Sequence, residues 1–238
     1  MTLEKLKKEH RVPGERLVLI TDVTRMSGNQ VCVAGIDVEN KVMVRPLTPD
    51  GLNWDEGEWV KEGFYEVGNL VSFRSAPAGN AAYPHANEDY RVSFVTPVAK
   101  ASLIDLYSAC VETSDNSADS IFNGQLVDNK YVIANSICRS LGCILVNRDD
   151  LRVSDYYGKV QISYRDACGR WYNFPVTELW TKKHGDSAVA APALENRLNG
   201  CNGAVVLRIG LARAWDGGSQ AFDPKRCYVQ VNGLILPA

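Results

Sequence analysis

Basic and aromatic side chains lie close together in one short segment of the second half of the sequence. The segment holds four tyrosines, one tryptophan and three cations: Tyr156, Tyr157, Lys159, Tyr164, Arg165, Arg170, Trp171 and Tyr172. Single-stranded nucleic acids are bound by aromatic faces that stack on bases and by cations that contact phosphates. The segment therefore predicts a strand-binding surface, although the same residues also suit ordinary sheet packing with solvated cations.

Three further arginines lie in or beside apolar, strand-like segments. Arg45 precedes a proline, Arg208 lies inside the apolar run 204–211, and Arg213 follows that run. A buried arginine without a partner is costly, so Arg208 either pairs with a carboxylate, which we favour, or faces a groove. We expect Arg213 to contact a ligand. The complete set of candidate nucleic-acid-binding residues is Arg45, Tyr157, Lys159, Arg165, Arg170, Trp171 and Arg213.

The sequence lacks the common enzyme motifs. It contains no phosphate-binding loop, dinucleotide fingerprint, G-x-S-x-G nucleophile elbow or H-E-x-x-H zinc motif. Of its three histidines, His10 and His184 lie among charged residues, and His85 lies in a loop where a turn or capping role is expected. We therefore predict a non-enzymatic protein with no catalytic residues, with a nuclease or another enzyme as the alternative.

Metal ligands and cysteines are present without the spacing of a metal site or a disulfide framework. The acidic residues between Asp55 and Glu62 lack the D-x-D-x-D-G order of a calcium loop. The seven cysteines are scattered and form no C-x-x-C pair. We expect no metal, no cofactor and no disulfide, and free thiols of this kind are typical of a reducing compartment.

Charge and hydropathy limit the classes of partner that the protein can have. The net charge is −2, yet residues 1–115 carry 12 Lys and Arg against 17 Asp and Glu, and residues 116–238 carry 14 against 11. A polyanion-binding surface is therefore expected in the second half, and tight non-specific duplex binding is not. The first ten residues lack the apolar core of a signal peptide, and no apolar run reaches the length of a membrane span. We expect a cytoplasmic protein without a membrane partner.

Strand-like segments separated by turn residues fill both halves. We predict strands at 17–23, 31–37, 42–47, 69–74, 90–95, 131–134, 142–147, 159–165, 170–174, 204–211 and 226–236. Helical patterns cover 100–110, 176–183 and 190–198, while 48–66 and 75–83 are expected to be loops and 149–150 a turn. The polar run 112–119 predicts a boundary, which divides the chain into a charged N-terminal segment (1–15) and two β domains (16–115 and 116–238).

Several motifs resemble the dual OB-containing domain family of bacteria. They are G-x-x-V-C-V-A-G-I-D with V-R-P near the N-terminus, Y-P-H and D-Y-Y-G-K between the two ends, and L-R-I-G-L-A-R-A-W with C-Y-V-Q-V-N-G near the C-terminus. The resemblance spans roughly residues 15–236 and leaves out the charged N-terminal segment. It implies an all-β fold with a few helices, built as two consecutive OB-like small β-barrels.

The resemblance also implies a function in nucleic-acid or nucleotide recognition, in a bacterial defence-related setting. Together with the aromatic and basic segment, it leads us to expect a non-enzymatic binding module for single-stranded nucleic acid or a nucleotide-like ligand. The alternative is a protein-interaction or scaffold subunit that uses exposed sheet edges and loops and has no nucleic-acid ligand.

Overall fold

The computed structural model describes residues 2–79, 81–215 and 225–237. A short helix, α1 (Leu3–His10), precedes the sheets, and its Leu6 is buried among apolar residues of the first strands. The sheets form two barrels that follow one another along the chain. None of the helices in the described residues is long and apolar enough to cross a membrane.

The first barrel is closed by five strands. The strands of this half are β1 (Arg16–Arg25), β2 (Gln30–Asp37), β3 (Val42–Leu47), β4 (Trp54–Asp55), β5 (Asn69–Pro77) and β6 (Asp89–Lys100). Their pairing runs β1-β2-β3-β6-β5 and returns to β1, with β4 attached to β2. The β3–β6 pair is parallel, and the other pairs are antiparallel.

Long apolar runs explain why the first barrel forms. In β1, the eight residues 17–24 are all buried, so this strand is covered on both faces instead of alternating between core and solvent. A bulge between Ile20 and Asp22 shifts the register with β2. Bulges redirect side chains, and Asp22 here reaches the second barrel.

The part of the chain after β6, within the described residues, contains four α-helices and the strands of a second barrel. Its helices are α2 (Leu103–Glu112), which links the two halves, α3 (Ala118–Ile121), α4 (Leu179–Lys183) and α5 (Ser187–Asn199). Its strands are β7 (Ser114–Asp115), β8 (Tyr131–Ile133), β9 (Leu141–Asn147), β10 (Leu151–Tyr156), β11 (Lys159–Arg165), β12 (Trp171–Pro175), β13 (Ala204–Leu211) and β14 (Arg226–Ile235).

The second barrel repeats the strand order of the first. A short 3-10 turn, Arg148–Asp150, separates β9 from β10; because β9 pairs with β13 and β10 with β11, the two act as one bent first strand. The order is then β10-β11-β12-β14-β13 and back to β9, closed by a parallel bridge between Val176 and Val231. Five strands in this Greek-key order form an OB-like barrel. The predicted all-β fold with a few helices and two OB-like barrels is confirmed.

The segment after β12 differs from its sequence prediction. The pattern predicted a helix over 176–183, but the helix begins only at Leu179. Val176 and Thr177 instead continue the direction of β12, and the Thr177 N–H donates to the carbonyl oxygen of Val231 at 2.9 Å. Closing the barrel buries Val176, and this tertiary contact outweighs the local helical pattern.

Other short elements were missed. The predicted loop 48–66 contains β4 and a π-helical turn, Glu56–Val60. The strand β10 was not predicted, because only its first and third residues are apolar. The predicted turn at 149–150 lies within the 3-10 turn between β9 and β10.

The two barrels share a buried junction. One apolar cluster combines residues of β1 and β2 with residues of α2, β9, β13 and β14. Beside it, Arg208 is fully buried and binds Asp22 with two hydrogen bonds, Nε to Oδ1 at 2.9 Å and Nη2 to Oδ2 at 2.8 Å. This is the carboxylate partner expected for Arg208. The domain limits at 115 and 116 stay a prediction; β7, which lies in the boundary segment, pairs in parallel with β9.

Candidate nucleic-acid interface

The sheet β10–β11–β12 has one buried and one open face. In β11, Val160, Ile162 and Tyr164 point into the barrel core and are almost completely buried. The residues between them therefore point outward. Lys159, Gln161 and their neighbours on β10 and β12 form a polar outer face, which in an OB barrel is a surface used for binding oligonucleotides.

The turn between β10 and β11 carries two tyrosines at one end of this face. Tyr157 and Gly158 have φ values of 47° and 70°, the left-handed pair of a two-residue hairpin turn. The Tyr157 side chain is 87% exposed. The Tyr156 ring lies 4.5 Å from it, centroid to centroid, in an edge-to-face arrangement.

The connection between β13 and β14 brings a third exposed ring to the same end. Trp215 is held by two backbone hydrogen bonds with Arg226, of 3.0 and 2.9 Å. Its side chain is 55% exposed, and its ring lies 6.2 Å from that of Tyr228 on β14. Tyr228 in turn lies 5.6 Å from Tyr131 of β8.

These elements enclose a groove of about 740 Å³, which we call the second-barrel groove. The residues that give it its chemistry are Lys130, Tyr156, Lys159, Gln161, Trp215 and Tyr228. Neither lysine makes an ion pair with another described residue, so both are available to phosphates. Aromatic faces, two lysines and an amide on an OB barrel face are the groups needed to stack bases and hold a single-strand backbone.

The family comparison agrees with this architecture. The model of the dual OB-containing domain matches residues 16–234, which is nearly the whole chain. The chain belongs to the dual OB-containing domain family. Neither the search of curated proteins nor the search of solved structures found a match.

In this dual OB-containing protein, only two of the seven predicted site residues lie at the second-barrel groove. Lys159 lines the groove, and Tyr157 lies at the tip of the adjoining turn. The other five residues lie at two different places, the far end of the same sheet and the junction of the barrels.

Arg165, Arg170 and Trp171 lie at the far end of the sheet. Arg165 is six residues along β11 from Lys159, about 20 Å in an extended strand. Its Nη2 lies 2.6 Å from Asp150, and Arg170 lies 3.6 Å from Asp119. Trp171 is half-exposed opposite Arg165. These residues therefore lie at the opposite end of the outer face from the groove rings.

Arg45 and Arg213 lie at the junction of the barrels. The Arg45 side chain is buried, with Nη1 2.7 Å from Asp89 and Nη2 donating to Ser140 at 3.0 Å. Arg213 shares the same carboxylate, with Nη1 2.8 Å from Asp89 Oδ2, but its side chain is 45% exposed. The prediction that Arg45 contacts nucleic acid is corrected on this ground: both its charge and its donors are turned inward. Arg213 remains accessible.

Burial and the two arginines, Arg45 and Arg213, determine the protonation states of the titratable side chains at the junction. Burial alone would raise the pKa of Asp89, but Arg45 and Arg213 outweigh burial and lower it. Burial raises the pKa of Glu88 to about 7, against the effect of Arg45 and of hydrogen bonds from Ser140. Burial, with Arg45 and Arg213, lowers the pKa of His85 to about 3. His85 is therefore neutral at physiological pH.

Sequence reasoning missed most of the groove. Lys130, Trp215 and Tyr228 lie 26 to 56 positions from the aromatic and basic segment, and only the closed strand order brings them to it. One signal was present. In β14 buried Cys227 and Val229 flank Tyr228, so alternation alone places the Tyr228 ring on the outer side.

Proposed function

We propose that the second barrel is a non-enzymatic binding module for single-stranded nucleic acid, with the strand held in the second-barrel groove. The observation that carries the proposal is the convergence of Tyr156, Trp215 and Tyr228 with Lys130 and Lys159 on one face. Stacking on exposed rings is tolerant of sequence, so the proposal covers both RNA and DNA and expects little base specificity.

The lining of the groove supports binding more than catalysis. Its described polar side chains are lysines, amides and tyrosine hydroxyls, without a carboxylate or a histidine. General acid–base and metal-assisted hydrolysis of nucleic acids usually draw on such groups. A bacterial, cytoplasmic and defence-related setting is part of this proposal.

The charge of the groove favours single strands over duplexes. Duplex binding draws most of its affinity from many phosphate contacts, and the groove offers two lysines beside exposed rings. Rings stack on bases only where the bases are unpaired. We therefore expect single strands to bind more tightly than duplexes of the same length.

Fluorescence anisotropy tests the proposal directly. Labelled single-stranded RNA, single-stranded DNA and duplex DNA are titrated with the protein at low and at physiological salt. We expect both single strands to bind at low salt, duplex to bind more weakly, and affinity to fall with added salt. Absence of single-strand binding at low salt contradicts the proposal.

A scaffold function is the second candidate, and one surface favours it. At the start of α2, Leu103 and Ile104 are 70% and 66% exposed, and apolar side chains grouped in this way mark protein interfaces. If this is the main function, replacing both by serine removes a protein partner and leaves the anisotropy titrations unchanged.

A further inference from the structure

A second cavity lies where the two barrels meet. This junction cleft, of about 560 Å³, is lined by Tyr83 and His85 from the first barrel and by Asn135, Arg213, Lys225 and Cys227 from the second half. The N–H of Asn135 donates to the carbonyl oxygen of Tyr83 at 3.0 Å, which joins the two sides. Its volume falls within the range of small-molecule sites, about 300–1,000 Å³.

The junction cleft is separate from the second-barrel groove. Among the described residues, none lines both cavities. In β14, Tyr228 lines the groove and its neighbour Cys227 lines the cleft. Because successive side chains of a strand point to opposite faces, these two side chains face away from each other. A ligand in the cleft therefore does not require a strand in the groove.

The charges of the cleft favour an anion. Arg213 and Lys225 line it, and no carboxylate of a described residue does. Behind the cleft one carboxylate, Asp89, serves both Arg213 and Arg45, at 2.8 and 2.7 Å. A second carboxylate, Glu88, whose pKa burial raises to about 7, also interacts with Arg45. The positive charge at the cleft therefore comes from the exposed Arg213 and from Lys225, which makes no ion pair with another described residue. Arg213 also keeps donors beyond the one on Asp89, because a guanidinium has five.

The uncharged side chains of the cleft can bind a planar ring that carries hydrogen-bond donors and acceptors. The Nε2 of His85 lies 3.2 Å from the carbonyl oxygen of Leu211. A carbonyl can only accept, so Nε2 carries the proton and, in the neutral ring, Nδ1 is an acceptor. The amide of exposed Asn135 offers both a donor and an acceptor. The Tyr83 ring, 38% exposed, offers a stacking face.

We propose that the junction cleft binds a nucleoside monophosphate, with Arg213 and Lys225 on the phosphate and Tyr83, His85 and Asn135 around the base. The phosphate monoester can belong to a free nucleotide or to the 5′ end of a strand, since the two have the same chemistry. The site lies outside the proposed function, because none of its described residues lines the second-barrel groove.

Isothermal titration calorimetry on the full chain tests the site with AMP, GMP, CMP, UMP, the four nucleosides and inorganic phosphate. We expect at least one monophosphate to bind, and its nucleoside to bind about tenfold more weakly, because the nucleoside lacks the charge-assisted contacts. In a second arm, a 5′-phosphorylated oligonucleotide is compared with the same oligonucleotide lacking that phosphate, which identifies a strand end as the source.

Two exposed positions supply variants that keep the fold. Lys225→Ala removes one cation, and Asn135→Asp places a negative charge in the cleft while keeping a residue type that tolerates the φ of 68° at this position. We expect each to weaken monophosphate binding about tenfold. Lys159→Ala, in the second-barrel groove, is the matched control and should leave monophosphate affinity unchanged.

The outcomes separate this proposal from the strand-binding proposal. Monophosphate or 5′-phosphate binding that is lost in Lys225→Ala and kept in Lys159→Ala supports the cleft, whether or not unphosphorylated strands bind. The cleft proposal is overturned if no monophosphate binds and a 5′-phosphate adds no affinity, or if binding survives both cleft variants. Loss of oligonucleotide binding in Lys159→Ala alone concerns only the groove.

Discussion

The two barrels have the same strand order but differ in how deeply their second and third strands are buried. In the first barrel, β3 is buried from its second residue onward and β2 over its last five residues, so both faces are covered. In the second barrel, β11 alternates between buried and accessible residues along its whole length. The outer face of these strands is therefore buried inside the molecule in the first barrel and exposed in the second.

The covering elements explain this difference. The apolar cluster at the junction packs α1, α2 and parts of β13 and β14 against β1 and β2 of the first barrel. The outer face of β10–β12 receives no such cover among the described residues, and it carries polar side chains together with the exposed rings of Tyr156 and Trp171. The comparison supports the proposal that the second barrel binds the ligand and the first barrel supports it.

The largest predicted effect is on the buried pair that joins the barrels. In Asp22→Ala, fully buried Arg208 loses both of its hydrogen bonds to a carboxylate. Breaking a buried ion pair from one side costs about 3–5 kcal/mol, and urea unfolding measures the loss. Asp150→Ala, which breaks the exposed pair with Arg165, is the control and should cost at most about 1 kcal/mol.

Equal losses in the two variants would contradict the supporting role assigned to the junction. Asp22→Asn gives a second measurement if Asp22→Ala does not fold. It keeps the shape of the side chain and removes its charge, and we expect its stability to lie between those of wild type and Asp22→Ala.

The next prediction concerns pH at the same junction. Burial raises the pKa of Glu88 to about 7 from an ordinary value of 4.5, so between these values the folded state binds a proton that the unfolded state lacks. Stability from this group therefore falls as pH rises through the window. His85 has the opposite effect, because its pKa is lowered to about 3 and the unfolded state binds the extra proton below pH 6.5.

The contribution of Glu88 is isolated by comparing wild type with Glu88→Gln. The variant does not titrate at this position and keeps an acceptor for the Ser140 N–H, which lies 2.9 Å from the carboxylate. We expect the stability of wild type relative to the variant to fall by roughly 2–3 kcal/mol between pH 4.5 and 7.5. Urea unfolding across that range measures it, and a difference independent of pH would be the opposite result.

Substitutions in the groove should weaken single-strand binding, and a substitution at the far end of the β10–β12 sheet should not. Stacking contributes about 1–3 kcal/mol per base, so Trp215→Ala or Tyr156→Ala should weaken single-strand binding about 5- to 150-fold in anisotropy titrations. Trp171→Ala is the matched control, because Trp171 is exposed to a similar degree and lies on the β10–β12 sheet at the end away from the groove. Sequence reasoning alone predicted the effect at Trp171, and a larger loss there than at Trp215 would restore that prediction.

The sequence predicted the individual strands well, but it predicted poorly which side chains the fold brings together. Alternation in 159–165 identified a half-buried strand, and the apolar run 204–211 identified a buried one, because each pattern is complete within a few residues. The groove brings together Lys130, Tyr156 and Trp215, which no local pattern connects. The buried state of Arg45 depends on Asp89 and Ser140, 44 and 95 positions away.

The smallest predicted effect is on the salt dependence of binding. Each phosphate contact to a single strand contributes about 0.7 to the slope of log affinity against log salt. Neither Lys130 nor Lys159 has a partner ion among the described residues, so each can release counterions when a strand binds. We expect Lys159→Ala to reduce this slope by about 0.7. Anisotropy titrations between about 50 and 200 mM salt, where affinity changes steeply with salt, measure it.

Arg165→Ala is the control that connects this slope to the comparison of surfaces. The cation of Arg165 is already paired with Asp150 at 2.6 Å and lies at the far end of the sheet, although the sequence alone suggested it as a phosphate contact. A slope unchanged by Arg165→Ala and reduced by Lys159→Ala places the backbone of the strand at the groove end. The reverse result would move the strand to the Arg165 end, and equal reductions would mean that it runs along the whole face of β11.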